Sequence, residues 1–460
     1  MSRNIGIGEV RTKLLDTDHK QWNCGMGLYD PNKVFFKEDP NGRVYIDDKL
    51  CSIVRSKSES NLVMIGGKFY KFVQIGDQIW LAENLELPFD NATYYNGDPA
   101  QSYGLLYRGR DMEALNFKLL EMDAGFHVPT KIEITELVEA AGGLSEAGKN
   151  LKSPDSWNSG VGLDLYGFNL KSAGLRVPSN YQYKGSNASM WTCVPDFSTS
   201  TDSEWRVSVG VGDIASINFL SWDFSAPVRL VKDTEKVEIA GRQYHTARMG
   251  DYIVMIENLD AKLDGIEIGS NDTPNTPAAW YYNNDEAGET AANNGLLYNG
   301  YCIDLINAAA PEGWHVPTSV EMQAIRVTGL DDASYSGLNM KVQAAGGLNA
   351  IRFNGVLVGA RNGSGVFESK NVLGRFWLDT VSGANRSFIT LQQNLDNAGI
   401  YSVESNRAYS IRLVKYDPIS SSLSKGGNTS VDDDKEIDEK ELDNVDEEIK
   451  DDSKEETLKK

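Results

Sequence analysis

Alternating apolar and polar positions open two widely separated stretches of this chain. "LVMIGGKFYKFVQI" begins at Leu62 and "KVEIAGRQYHTARM" at Lys236, and each predicts short strands joined by glycine turns. Farther along, Ile134, Leu137, Val138 and Ala141 space an apolar helical face, and Met322, Ile325 and Leu330 make a poorer counterpart. Alternation returns in the aromatic-rich runs "EWRVSVGVG" and "INFLSWDF". Finally, "VRLVK" at 228–232 and "IRLVK" at 411–415 alternate apolar and basic residues as a half-buried strand would. Strands, then helices, then strands predict an α+β fold with two helices packed against antiparallel strands.

The pattern is written twice because much of the chain is written twice. Gly67, Tyr70, Gly76, Asp77, Glu83, Asn84 and Leu85 reappear at the same spacing as Gly241, Tyr244, Gly250, Asp251, Glu257, Asn258 and Leu259. "YYN" starts at 94 and 281, "GLLY" at 104 and 295, and Phe168-Asn169, Gly174-x-Arg176 and Trp191 correspond to Phe353-Asn354, Gly359-x-Arg361 and Trp377. The expected organisation is an N-terminal attachment segment (1–61), two repeats (62–233 and 235–416), a Ser/Gly-rich linker (417–430) and an acidic tail (431–460). Leu442, Val445 and Ile449 are spaced for a short helix, but so charged a run reads first as disordered.

Two of the chain's four histidines stand in a repeated motif, "GFHVPTKIE" at 125–133 and "GWHVPTSVE" at 313–321. Thr130-x-x-Glu133 and Thr318-x-x-Glu321 have the spacing of a capping box, and Pro129 and Pro317 hold the chain out of helix until the cap. No Ser or Cys nucleophile is duplicated beside His127 or His315, and no HxxxH or HxH accompanies them. Both histidines are therefore read as structural, bonding a neighbouring backbone group from a semi-buried position. "GLSEAGKN" at 143–150 misses the phosphate-binding loop: Asn150 replaces the metal-holding hydroxyl, Glu146 would repel phosphate, and the stretch follows a helix. It is read as a helix-ending turn.

Charge narrows the partners. A net charge of -21 disfavours nucleic acid, although fifteen Asp/Glu against six Lys in residues 431–460 supply about -9 of it. No apolar run approaches the roughly 20 residues of a membrane span, and the first residues carry neither a signal-peptide core nor an early lipoprotein cysteine, so an exit route other than signal-directed export is expected. Cys24, Cys51, Cys193 and Cys302 form no CxxC pair and support neither a zinc knuckle nor a disulfide framework. "YYNND" and "GSNDT" carry oxygen ligands that leave calcium open, and no other cofactor is expected. Tyr181, Tyr183, Trp205 and Trp222 in the first repeat, with Phe367 and Tyr401 in the second, lie among Ser, Asn, Gly and Asp and are the candidate ligand-facing residues. Trp191 and Trp377, being shared, are assigned to the core.

"IGDQIWLAENLE", "YNGDPAQSYGLLY", "GFHVPTKIEITELVEAAGG", "AGKNLKS", "LYGFNLKSAGLR", "SMWT" and "VRLVK", in that order, resemble the Fibrobacter succinogenes major paralogous domain. The likeness covers about 62–232 well and 236–416 more loosely, with Val254 where the first repeat has Trp80. It implies two tandem α+β domains similar to C-type lectins and formylglycine-generating enzymes, a fold usually carried on exported proteins of Bacteroidota-like bacteria, with no catalytic residues to carry over. The expected function is a non-enzymatic binding or display protein. It is expected on a phage virion, where lysis replaces export, binding host-surface glycan or protein and joined to other virion proteins through residues 1–61. A structural decoration protein and a bacterial surface protein with a non-standard export route are the alternatives, and homo-oligomerisation is left open.

Overall fold

In each repeat the closing strand returns to the opening hairpin. The computed structural model describes residues 61–418 except 161, 197–202, 270–274 and 331, together with the backbone of short strands between residues 3 and 53. Strand Val231–Lys232 pairs antiparallel with Gln78–Leu81, where Val231 faces Trp80, and with Phe126–His127, where it faces His127. Strand Val414–Tyr416 repeats this against Tyr252–Met255 and Trp314–His315, where Val414 faces Val254 and His315. Val254 thus holds the register position of Trp80. The early strands Arg3–Ile5, Phe36–Glu38, Val44–Ile46, Lys49–Ile53 and Trp22–Asn23 form a sheet in that order. The side chains that would carry attachment in 1–61, and the linker and tail beyond Pro418, lie outside the described residues. Among the described residues no helix is long and apolar enough to cross a membrane.

A three-stranded meander carries the helices of each repeat: Ala188–Asp196, Ser203–Val209 and Ala215–Ser221 in the first, Leu373–Ser382, Asn385–Gln392 and Gly399–Glu404 in the second. Helix Lys131–Ala140 buries Ile134, Leu137 and Val138 against Met190, Val207 and Val209. Its start is a complete capping box between Thr130 and Glu133, and helix Ser319–Arg326 begins with the same box between Thr318 and Glu321. Met322 and Ile325 are buried on that second helix, whereas Leu330 lies beyond its end. "GLSEAGKN" departs from its expectation. Gly142 and Gly143, both at positive φ, make the turn, and Gly143–Leu151 is a helix of its own. Gly148 on that helix and Gly337 on helix Ser336–Met340 lie where an added Cβ would meet the carbonyls of Asp213 and Asn397 at 2.4 and 2.5 Å, so neither position admits a side chain.

The repeated motifs converge on a buried arginine. "VRLVK" is not a half-buried strand, because Val228, Arg229, Leu230 and Val231 are all buried. Arg229 donates to Asn84 Oδ1 at 2.9 and 3.2 Å and to the carbonyls of Phe168 and Asn169, and its guanidinium lies 4.3 Å from the Phe168 ring centre. Arg412 makes the matching set with Asn258, Phe353 and Asn354, again 4.3 Å from the ring of Phe353. Burial lowers both guanidinium pKa values to about 9. Lys152 and Lys341, also buried, donate to the carbonyls of 211–212 and of 392, 393 and 395. Trp191 and Trp377 are core residues, as expected, and each donates its indole N–H to the last residue of a "GLLY" segment, Tyr107 at 2.8 Å and Tyr298 at 2.7 Å.

Polar groups and apolar side chains together join the repeats. Phe117, Leu120 and Ile132 pack against the core built on Ile256, Met322 and Phe353. Asp123 pairs with Lys236 and His245, and Glu113 accepts from the Gln343 backbone. His127 corrects the expectation for the histidine motif: it is 3% exposed, and its partners are carboxylates, Asp233 at 2.7 Å and Glu133 at 2.9 Å, instead of backbone. Asp233 also accepts from Arg352 of the second repeat at 2.9 Å. His315 meets Glu321 at 2.9 Å from a half-buried position.

This network gives a pH-dependent seam. Burial and Arg352 press the His127 imidazole toward neutrality, but Glu133 and Asp233 outweigh them and raise its pKa above 6.5. Burial opposes the carboxylate charges, yet His127 and Arg352 hold Glu133 down to about 2 and lower Asp233 as well. The histidine contribution is complete below pH 6.5 and lost as pH rises through its folded pKa; the carboxylate contributions are complete above 4.5 and lost on acidification. The contribution of this network to melting temperature is therefore expected to be greatest between about pH 4.5 and 6.5. In His127→Gln the alkaline fall should flatten; an equally steep fall in that variant would refute the assignment.

Candidate ligand-binding site

The first repeat gathers half-buried tyrosines under lysines. Tyr181 sits on the hairpin Leu175–Val177 and Asn180–Gln182, directly across from Arg176. Tyr95 begins a 3-10 turn in which Asn96 takes a left-handed φ of 52°, a conformation asparagine tolerates better than most residues. Ser102 fixes that turn by accepting from the Tyr95 N–H at 2.7 Å and donating to the Asp98 carbonyl at 2.9 Å. The rings of Tyr95 and Tyr181 are thereby held 5.2 Å apart and inclined at 55°, with the Tyr181 hydroxyl 3.2 Å from Thr93 Oγ1. Lys184 Nζ lies 5.4 Å from the Tyr95 ring centre and 5.6 Å from that of Tyr103, and Lys171 Nζ lies 5.9 Å from Tyr103. Such a face offers rigid rings, hydroxyls and cations together, the elements of a polar-ligand platform.

The second repeat builds the same arrangement and closes it. Tyr282 and Phe367 are 5.3 Å apart at 55°, Asn283 has a φ of 55°, and Lys370 lies 5.1 Å from the Tyr282 ring. Here, however, helix Glu286–Ala291 brings buried Glu289 into an ion pair with Lys370, and Arg361, itself buried, stacks 4.2 Å from Trp280. Tyr282 is buried, whereas its counterpart Tyr95 is half-exposed.

The aromatic candidates fall into separate places. Tyr181 belongs to the tyrosine platform and Phe367 to its closed counterpart. Tyr183, 56% exposed with a φ of 64°, lines a neighbouring concavity. Trp205 packs edge-on to Phe219 at 5.9 Å, with Lys131 Nζ 3.7 Å over its face, on the meander. Trp222 occupies the turn before Ser225–Pro227, where its carbonyl accepts from Arg110 N–H. Tyr401 lies on an outer strand, 6.0 Å from Phe388. The residues missed at the sequence level, Tyr95, Tyr103, Lys171 and Lys184, carried a usable signal: "YYN" recurs, and Lys184 and Lys370 follow the two hairpins alike.

Chemistry other than binding finds few groups. Cys193 and Cys302 are both buried, and burial raises the Cys302 thiol to about 12, far from a reactive thiolate. Among the described residues no cluster of three His, Cys, Asp or Glu could hold a metal ion. Within "YYNND", Asp285 caps a helix by accepting from Gly288 N–H at 3.0 Å; most of "GSNDT" lies outside the described residues. The cavity between the repeats, lined by Glu113, Asn116 and Arg352, measures about 10 Å³, room for no more than a water.

No curated protein matches the chain, and no solved structure matches it. Its second repeat does find a family. Residues 247–415 match the model of the Fibrobacter succinogenes major domain, and the match supports membership of that family for this part of the chain.

Proposed function

We propose that this is a non-enzymatic binding and display protein, in which two tandem, C-type-lectin-like copies of the family domain present the open tyrosine platform of the first copy to a glycan or protein on a host surface. The observation that carries the reading is the contrast between the copies. One geometry, an aromatic pair at 5.2–5.3 Å beside a lysine, is left accessible in the first repeat and sealed by Glu289 in the second. Matching arginine, lysine and tryptophan hydrogen bonds support the reading as two copies, and the return of each closing strand to its opening hairpin supports the lectin-like one.

The test is binding of the full chain to a glycan array and to host cells. Tyr181→Ala is expected to weaken binding by about tenfold, the loss of one aromatic contact, with its melting temperature little changed. Phe367→Ala is expected to lower the melting temperature and leave binding intact. Absence of binding at high protein concentration, with the intact chain present in purified particles, would favour decoration over recognition.

A further inference from the structure

Behind the hairpin that carries Tyr181, a concavity of about 490 Å³ is lined by Leu175, Gln182, Tyr183, Asn187, Arg206 and Phe224. Its wall is half apolar, half amide and hydroxyl, and its only described charge is Arg206. One arm of that guanidinium donates to Ser189 Oγ, which in turn donates to Asn187 Oδ1 at 2.9 Å, while the buried Nε–H has no hydrogen-bond partner among the described residues. Burial alone draws the Arg206 pKa down to about 10; no carboxylate among the described residues stands near enough to oppose it. Arg206 is half-buried, and a guanidinium partly withdrawn from water gains most from an anionic partner.

The second repeat shows what a guanidinium at this corner pairs with. Arg375 occupies the strand position of Ser189, the residue Arg206 bonds, so both guanidinia reach the same corner of the fold from neighbouring strands. There Arg375 meets the carboxylate of Glu368 at 3.5 Å. Glu368 faces Ala360 across its hairpin as Gln182 faces Leu175, so the two hold one register position. The first repeat thus brings a guanidinium to this corner from the neighbouring strand, and carries a neutral amide at the register position of Glu368.

We propose that this concavity binds a carboxylate supplied by the ligand, and that with Gln182, Asn187, Ser186 and Tyr183 around it the ligand is a sugar acid. The carboxylate takes the place Glu368 fills in the second repeat, the amides and hydroxyls bond the ring hydroxyls, and Tyr183 covers a sugar face. This inference rests on the binding function proposed above and specifies its ligand class.

The experiment is titration of the full chain with glucuronate and galacturonate, with glucose and galactose as neutral analogues and acetate as the bare carboxylate. Saturable binding of the acids, with the neutral sugars and acetate at least about tenfold weaker, is expected. Arg206→Gln should weaken acid binding by about 10- to 100-fold. Gln182→Glu should do the same while leaving the melting temperature unchanged or higher, since it installs the pair the second repeat already uses; this variant decides the matter should Arg206→Gln fail to fold. Equal binding of acids and neutral sugars, or undiminished acid binding in Gln182→Glu, overturns the inference. Array binding that persists with neutral glycans and fails with acids overturns it too while sparing the broader binding function; no binding to any glycan or to host cells removes both.

Discussion

Arg229→Ala is expected to destabilise the protein by about 3–5 kcal/mol, the cost of breaking a buried charged network by removing one partner. The side chain is wholly buried and ties three segments together: carried just ahead of the closing strand, it donates to Asn84 after the opening hairpin and to Phe168 and Asn169 in the central loop. Its removal leaves Asn84 Oδ1 and the Phe168 carbonyl buried without a donor and opens a void against the Phe168 ring. Arg229→Lys should recover little, because a point-charge ammonium cannot span acceptors that a planar fork reaches together. Gly104 shows how tightly the site is closed: a Cβ there would stand 2.7 Å from that of Asn84. Urea denaturation, comparing midpoints at constant slope, is the measurement; a loss below about 1 kcal/mol would mean the network relaxes around the gap. Arg412→Ala should behave alike, since Asn258, Phe353 and Asn354 reproduce the partners.

Trp377→Ala is expected to cost about 3–5 kcal/mol, as large-to-small changes at filled aromatic sites do. Trp377 is fully buried, its ring centre lies 4.6 Å from that of Tyr409 and 6.3 Å from that of Phe388, and its N–H holds the Tyr298 carbonyl at 2.7 Å. Trp377→Phe separates packing from hydrogen bonding: it keeps most of the ring contact but orphans that carbonyl, for a loss of about 1–3 kcal/mol. Thermal unfolding of the two variants checks the order, and equal losses would assign the whole effect to the hydrogen bond. In the first repeat Trp191 holds the Tyr107 carbonyl in the same way, at 2.8 Å.

Much of the fold was legible because its signals are local. Thr130-x-x-Glu133 and Thr318-x-x-Glu321 become capping boxes because a cap needs only residues three apart. The core assignment of Trp191 and Trp377 followed from repetition, since a bulky residue kept in both copies beside changing loops is one the packing requires. The ligand surface was less legible. Composition points to Tyr181, but its partners Tyr95 and Tyr103 arrive from a turn far away in sequence, and Trp205, which composition marks equally, stands in a different cluster.

The sequence by itself determined the duplication, the α+β order of elements and the helix starts, all of which depend on spacing within a few residues or on self-similarity. Tertiary structure alone decided which polar groups are buried. Alternation in "VRLVK" separates two faces of a strand without saying that protein covers both, so Arg229 and Arg412 become central only when Asn84 and Asn258 fold over them. It also decided which charges meet a partner among the described residues. Gln182 and Glu368 differ by one small chemical step, and the meaning of that step depends on guanidinia carried by other strands, because Coulomb interactions act through space and not along the chain.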